Sequence, residues 1–152
     1  MTSRLKFRNL DVDPAAPVSN WPDQGIQAAL ERGSLSDYRR IAAEIRSDPW
    51  GDVARRVERV LGYTNPYGTG ALFRQVITNY RAQAEATARA EVARQLAAAL
   101  AASGLSQAAF AARLGTSPSR MSTYLRGVVT PSASLLIRAQ QLSARAARPE
   151  TG

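Results

Sequence analysis

The chain of 152 residues contains no cysteine and no histidine. Without cysteine there is no disulfide framework, no thiolate zinc site and no nucleophilic thiol. Without histidine the commonest general base and the commonest metal ligand are both missing. An enzyme would need a carboxylate pair or a Lys/Tyr device, and no convergent set stands out. The expectation is a protein that is not an enzyme and uses no cofactor or metal. Apolar length is also lacking. The longest strictly apolar run is residues 96–102, far short of the roughly 20 residues that a membrane helix needs. The amino terminus, MTSRLKFRNLDVDP, has no apolar signal core. These absences predict a soluble, cytoplasmic protein with no membrane partner.

Acid is missing from one half only. Residues 92–149 hold no Asp or Glu but seven arginines, Arg94, Arg113, Arg120, Arg126, Arg138, Arg145 and Arg148, whereas the first 84 residues hold nine acids. One lysine against nineteen arginines points to a GC-rich coding bias. Such a bias adds arginine and alanine, yet it does not strip 58 residues of carboxylates. Charge of one sign repels itself unless a polyanion is the partner, and phosphate backbones are the commonest polyanion. The formal net charge of +8 agrees.

The pattern along the chain is helical throughout. Residues 1–22, with Pro14, Pro17 and Pro22, read as an irregular, solvated arm with room for a short extended piece at 5–10. Its basic start (Arg4, Lys6, Arg8) offers contacts to DNA or an acidic partner, but a solvated tail is favoured. A helix opens at Asp23 and is stopped by Gly33. Ser36 is expected to cap a second helix whose apolar stripe is Tyr38, Ile41, Ala42 and Ile45. The SDPWGD segment breaks it, because Pro49 disfavours helix before it. A third helix over 52–61 buries Val53, Val57, Val60 and Leu61, and a turn-rich loop, YTNPYGTG, follows. Trp50, Tyr63 and Tyr67 could stack on a base or ligand, but core plugs are the expectation. Arg55, Arg56 and Arg59, balanced by Asp52 and Glu58, read as a solvated face.

From Ala71 no Gly or Pro occurs until Gly104. The composition favours one continuous or slightly bent helix of about 33 residues, roughly 50 Å long. The alternative is a break at 84–88, where large apolar residues are missing. Its end, with Val92, Leu96 and Leu100 on one face, would open the second domain. The stretch 104–132, GLSQAAFAARLGTSPSRMSTYLRGVVTPS, then spells two short helices across a tight turn. Ala111 sits where the helices must touch, and Gly115 where the chain must leave the first one left-handed. Leu114, Met121 and Tyr124 bury apolar surface beneath the pair. This is the physical pattern of a helix-turn-helix, whose second helix enters the DNA major groove. Gly127 stops that helix, and Ser132 caps a last one with Leu135, Leu136, Ala139 and Leu142 inward. Residues 144–152 read as a flexible tail.

Residues 92–142 resemble the Xre-like helix-turn-helix family, which includes phage Cro and repressor proteins. The matching pieces are G-L-S-Q at 104–107, F-A-x-x-L-G at 110–115, S-x-S-x-M-S at 117–122 and R-G-x-x-x-P at 126–131. The resemblance implies a carboxy-terminal bundle of four or five helices (residues 85–143); with the helical pattern of the first half, the expected architecture is all-α, the long helix joining this bundle to a small helical domain (23–84) that matches no family. It also implies roles. Gln107 would meet a phosphate, and Ser117 would cap the recognition helix. Ser119, Arg120 and Thr123 would face base edges. Ser122, Arg126 and Thr130 would hold phosphates. Arg120 can grip guanine O6 and N7 with two hydrogen bonds; a phosphate clamp or a solvated arginine is the alternative for it. Two departures stand out. Pro118 replaces a usual polar residue, and Leu125 an acid, which implies altered packing or an apolar surface for a partner.

Two functions compete. One is a bacterial or phage transcription regulator, a repressor binding a pseudo-palindromic operator in double-stranded DNA as a homodimer. The other is a type II antitoxin whose helix-turn-helix represses its own operon while the amino-terminal domain binds a toxin protein. A nucleic-acid enzyme is the poorest reading, because the acids are scattered through the first half.

Overall fold

The computed structural model describes residues 5–148, so Arg4 and the last four residues of the expected tail lie outside it. Among the described residues there are seven α-helices, one 3-10 turn and no strand. The helices are α1 (Asp23–Arg32), α2 (Leu35–Ser47), α3 (Asp52–Tyr63), α4 (Thr69–Ser103), α5 (Gln107–Arg113), α6 (Pro118–Leu125) and α7 (Ala133–Ala146). The chain divides into two compact units, Met1–Ala84 and Glu85–Gly152. α4 is one unbroken helix of 35 residues that contributes to both. No helix is long and apolar enough to cross a membrane.

The first unit closes over one core. Ile26 and Leu30 of α1, Ile41 and Ile45 of α2, Val57 and Val60 of α3, and Phe73 of α4 are all buried in it. The apolar stripes of α2 and α3 therefore face inward as their spacing dictates. The cap of α2 is not Ser36 but Ser34. The Asp37 carboxylate reaches back to the Ser34 amide at 2.8 Å and accepts its hydroxyl at 3.0 Å. That reach needs a three-residue offset, which Ser34 provides and Ser36 does not.

Apart from the 3-10 turn Val18–Asn20, residues 5–22 are irregular, with no strand at 5–10; Lys6 and Arg8 are exposed, yet the segment is anchored to the core rather than free. Trp21 is completely buried and Val18 nearly so. The Phe7 ring meets Trp21 edge-on at 5.2 Å. Arg40 of α2 donates to the carbonyls of Pro14 and Ala16, both at 2.8 Å, and its guanidinium lies 4.8 Å from the Trp21 ring centre. Arg56 of α3 donates to the carbonyls of Ser19 and Trp21. The three prolines lower the entropy lost when this segment is fixed, and Trp21 supplies apolar area that a solvated arm would waste.

Trp50, Tyr63 and Tyr67 are not core plugs. Their exposures are 48%, 57% and 102%. Trp21 and Phe73, with Tyr38 edge-on to Phe73, already fill the core with aromatic area. Trp50 instead takes the Arg81 guanidinium 5.9 Å from its ring centre, and Pro49 is the buried neighbour. The basic stripe of α3 is likewise more than a solvated face. Arg55 pairs with Asp52 at 2.6 Å, and Arg59 forks onto Asp23 at the start of α1, at 2.6 and 2.8 Å.

The Asp23–Arg59 pair ties α1 to α3 and gives the first unit a pH signature. The Arg59 hydrogen bond holds the Asp23 carboxyl below its ordinary value of 3.8. A carboxyl lowered on folding stabilises fully above the unfolded value, and this contribution is lost as pH falls through the folded one. Both tryptophans lie in this unit, so their fluorescence follows its urea unfolding alone. Asp23→Asn should lower the midpoint at pH 7 and by progressively less as pH falls below the ordinary carboxylate range; a loss that does not shrink with falling pH would remove the charge pair as the cause.

Candidate nucleic-acid interface

The second unit is built from short helices with matching ends. Ser106, Ser117 and Ser132 stand at the starts of α5, α6 and α7, and each hydroxyl accepts the amide three residues on, at 3.1, 3.1 and 3.2 Å. Pro118 occupies the first turn of α6, where its missing N–H costs nothing. α5 and α6 end alike. The Thr116 amide donates to the Ala111 carbonyl at 3.0 Å, and the Gly115 amide to Ala112 at 3.1 Å. The Val128 amide donates to Thr123 and the Gly127 amide to Tyr124, both at 3.1 Å. These paired bonds are Schellman motifs, which need a left-handed residue. Gly115 (φ 73°) and Gly127 (φ 69°) supply it.

Beneath the two helices lies one core of Leu96, Ala99, Phe110, Ala111, Leu114, Met121, Leu135 and Ala139. Ala111 is fully buried, as close approach of α5 to α6 requires. Tyr124 packs against this core while only partly buried, and so does Leu125. The apolar residue found where an acid was expected therefore serves packing. On α4 the inward line is Ala93, Leu96 and Ala99; Val92 is only partly buried. α7 runs on to Ala146, so residues 144–146 are helical and not tail. Arg145 in its last turn suits the helix dipole there.

The expected contact residues share one stretch of surface chain. Gln107 opens α5 and is exposed; Ser119, Arg120, Arg126 and Thr130 are exposed, and Ser122 and Thr123 partly so. The Ser117 hydroxyl is engaged as the α6 cap. At about 100° per residue, Ser119, Thr123 and Arg126 lie opposite buried Met121, and Arg120 lies between them and Tyr124. Thr123 donates its hydroxyl to the Arg120 carbonyl at 2.7 Å, which leaves it lone pairs and a methyl for a ligand. Arg126 Nε reaches the Ser122 carbonyl at 3.4 Å. The Arg120 guanidinium has no hydrogen bond or ion pair among the described residues, so all its N–H donors stay available.

Besides Arg126, two of the seven arginines are already engaged. Arg94 pairs with Glu91, one residue outside the acid-free stretch; hydrogen bonds from Arg94 and then Gln95 hold the Glu91 carboxyl down to about 2. Arg138 donates to the Leu114 carbonyl at 3.2 Å, at the end of α5. None of the others enters an ion pair among the described residues. Two features escaped the motif reading. Ser106 is the α5 cap, recognisable as a serine just before the periodic run. Val128 and Val129 are exposed in the loop after α6, at 61% and 49%, and nothing local in the sequence marks them. Among the described residues no three acidic side chains gather as a metal site would require.

The turn between α5 and α6 is testable by itself. A Cβ on Gly115 would meet no atom within 4 Å, so only backbone strain opposes a side chain. Gly115→Ala should cost about 1 kcal/mol, and Gly115→Asn less, because Asn tolerates the left-handed region better. Ala111→Leu should cost more, about 1–3 kcal/mol, by overpacking a filled core. Thermal unfolding followed by circular dichroism gives the ranking; equal costs for Ala and Asn at position 115 would refute the backbone account.

No curated protein and no solved structure matches the chain. A family model does: residues 75–148 match the one described as a helix-turn-helix domain. The match takes in α5, the Gly115 turn, α6 and α7, and the carboxy-terminal unit has the fold of a helix-turn-helix domain.

Proposed function

We propose that the protein is a sequence-specific, DNA-binding transcription regulator of the Xre type, a repressor that binds a pseudo-palindromic operator as a homodimer. The observation that carries this reading is the conjunction at α6. A helix packed by Met121 exposes Ser119, Arg120 and Thr123, within a stretch of 58 residues that has no carboxylate. Arg120 serves as base reader, its donors being free of internal partners. Gln107, Ser122, Arg126 and Thr130 serve as phosphate contacts that set the register. One such helix reads too few base pairs for useful specificity, so two copies with half-sites roughly 34 Å apart are required. Repression then needs only occupancy of a promoter. Light scattering of the chain, free and on operator DNA, tests the dimer: a strict monomer in both states sinks it.

A second reading is a type II antitoxin, favoured by one observation. The first unit has its own core and exposes Trp50, Tyr63 and Tyr67. Such aromatic surface suits a protein partner, here a toxin. A short toxin gene beside this one would select this reading.

The two arginines should behave differently. Arg120→Ala should cost roughly 1–3 kcal/mol on the best operator and little on scrambled duplex, since a base contact is lost only where the right base is present. Arg126→Ala should weaken both duplexes by similar factors. It should also flatten the slope of log affinity against log salt, about −4 to −7 for a dimer neutralising roughly 4–8 phosphates, by about two units, one contact being lost from each subunit. Equal losses for Arg120→Ala on both duplexes would transfer base readout to Ser119 and Thr123.

A further inference from the structure

Most arginines of the first unit hold its fold together. Arg40 and Arg56 bind carbonyls of the 5–22 segment, and Arg74 binds the Leu61 carbonyl. Arg55, Arg59 and Arg81 pair with Asp52, Asp23 and Glu58. Arg39 and Arg46 do neither: both are exposed, with no hydrogen bond or ion pair among the described residues. Both line one cleft of about 590 Å³, together with Ala42, Ala43, Ser47 and Tyr80. Positions 39, 42, 43 and 46 form one face of α2, opposite buried Ile41 and Ile45. The two arginines are two helical turns apart, roughly 10 Å along the axis. Between them the floor is the methyl groups of two alanines, and Tyr80 of α4, half-buried, adds an aromatic wall.

We propose that this cleft docks an acidic segment of a protein partner, with carboxylates on Arg39 and Arg46 and aliphatic stems over Ala42 and Ala43. Charge complementarity selects the occupant. Guanidinium grips a carboxylate through two parallel hydrogen bonds, and an apolar floor beside the pair lowers the local dielectric and strengthens it. Alanines let a backbone come close. Roughly 10 Å is also the spacing of carboxylates two turns apart on a helix. Duplex DNA fits less well. A phosphate row is matched by continuous positive charge, whereas Glu44 and Asp48 belong to this same helix and its end, and no phosphate calls for the methyl floor. The assignment does not rest on the DNA-binding reading of the other unit, so each can fail alone.

The test uses the full chain and a fluorescein-labelled, alanine-based helical peptide carrying glutamates seven residues apart. Fluorescence anisotropy should show saturable binding that weakens as salt rises, because the pair is at the surface. The double variant Arg39→Glu/Arg46→Glu should weaken it by about tenfold or more. Arg8→Glu/Arg32→Glu makes the same change of net charge at exposed positions outside the cleft and should leave it unchanged. Arg39→Lys/Arg46→Lys should retain part of the affinity, since charge survives and the fork does not. Binding of random duplex should be the same for the wild type and the Arg39/Arg46 variants. No saturable peptide binding, or equal loss in both Glu double variants, overturns the proposal. Loss of duplex binding in the Arg39/Arg46 variants would also overturn it, by placing the cleft in the nucleic-acid footprint.

Discussion

The close pairing of α5 with α6 constrains the rest of the carboxy-terminal unit. Two helices of seven and eight residues are too short to be stable alone, since helix nucleation is costly and most helical stability in proteins comes from packing. They persist because Ala111 lets them share a core with Phe110, Leu114 and Met121, and because Gly115 turns the chain without strain. Once that geometry is fixed, the buried side of α6 determines which of its residues remain outside. Ser119, Arg120 and Thr123 are available to a ligand because Met121 is not.

The two units deal with charge in opposite ways. In the first, carboxylates and arginines meet: Asp23 with Arg59, Asp52 with Arg55, Glu58 with Arg81. Each exposed pair contributes little by itself, yet pairs such as Asp23–Arg59 bring separate helices together. In the second, the only acid that neutralises an arginine among the described residues is Glu91, near the unit's start. A fold without such pairs forgoes small stabilising terms and accepts self-repulsion, which favours a partner of opposite sign.

Much of this was legible in the sequence, and the boundary follows the range of the interactions. Helix ends are set by residues within five positions of each other, so Gly33, Gly115, Gly127, Pro118 and Ser132 announced their roles. Core stripes such as Val53, Val57 and Val60 followed from period alone. Composition does not separate Ser34 from Ser36 as the α2 cap, because the deciding contact is the reach of the Asp37 carboxylate. What the sequence hid is non-local. Nothing near Pro14 or Ala16 tells that Arg40 will bind their carbonyls, so residues 5–22 read as solvated. Trp50 and Tyr63 read as core because aromatic residues usually are. The buried aromatic area instead belongs to Trp21 and Phe73, and only the assembled core shows that. For the candidate site, the exposure of Arg120 and its lack of internal partners required the fold, whereas its position on the second helix did not.

The choice of caps joins these two themes. α1, α2 and α3 each carry an aspartate in the first turn, Asp23, Asp37 and Asp52. There it complements the positive end of the helix dipole, worth typically 0.3–1 kcal/mol. α5, α6 and α7 carry no acid in the first turn and are capped by serine alone. Aspartate caps a helix about as well as serine, and it would add the dipole term. Capping strength therefore does not explain three serines in a row. Charge does. A carboxylate at the start of any of these helices would introduce negative charge into a unit otherwise positive over 58 residues. A serine hydroxyl satisfies the same amide and carries no charge. The second unit thus gives up dipole stabilisation at three helix starts and keeps residues 92–149 free of carboxylates, which is the compromise expected where a polyanion must approach.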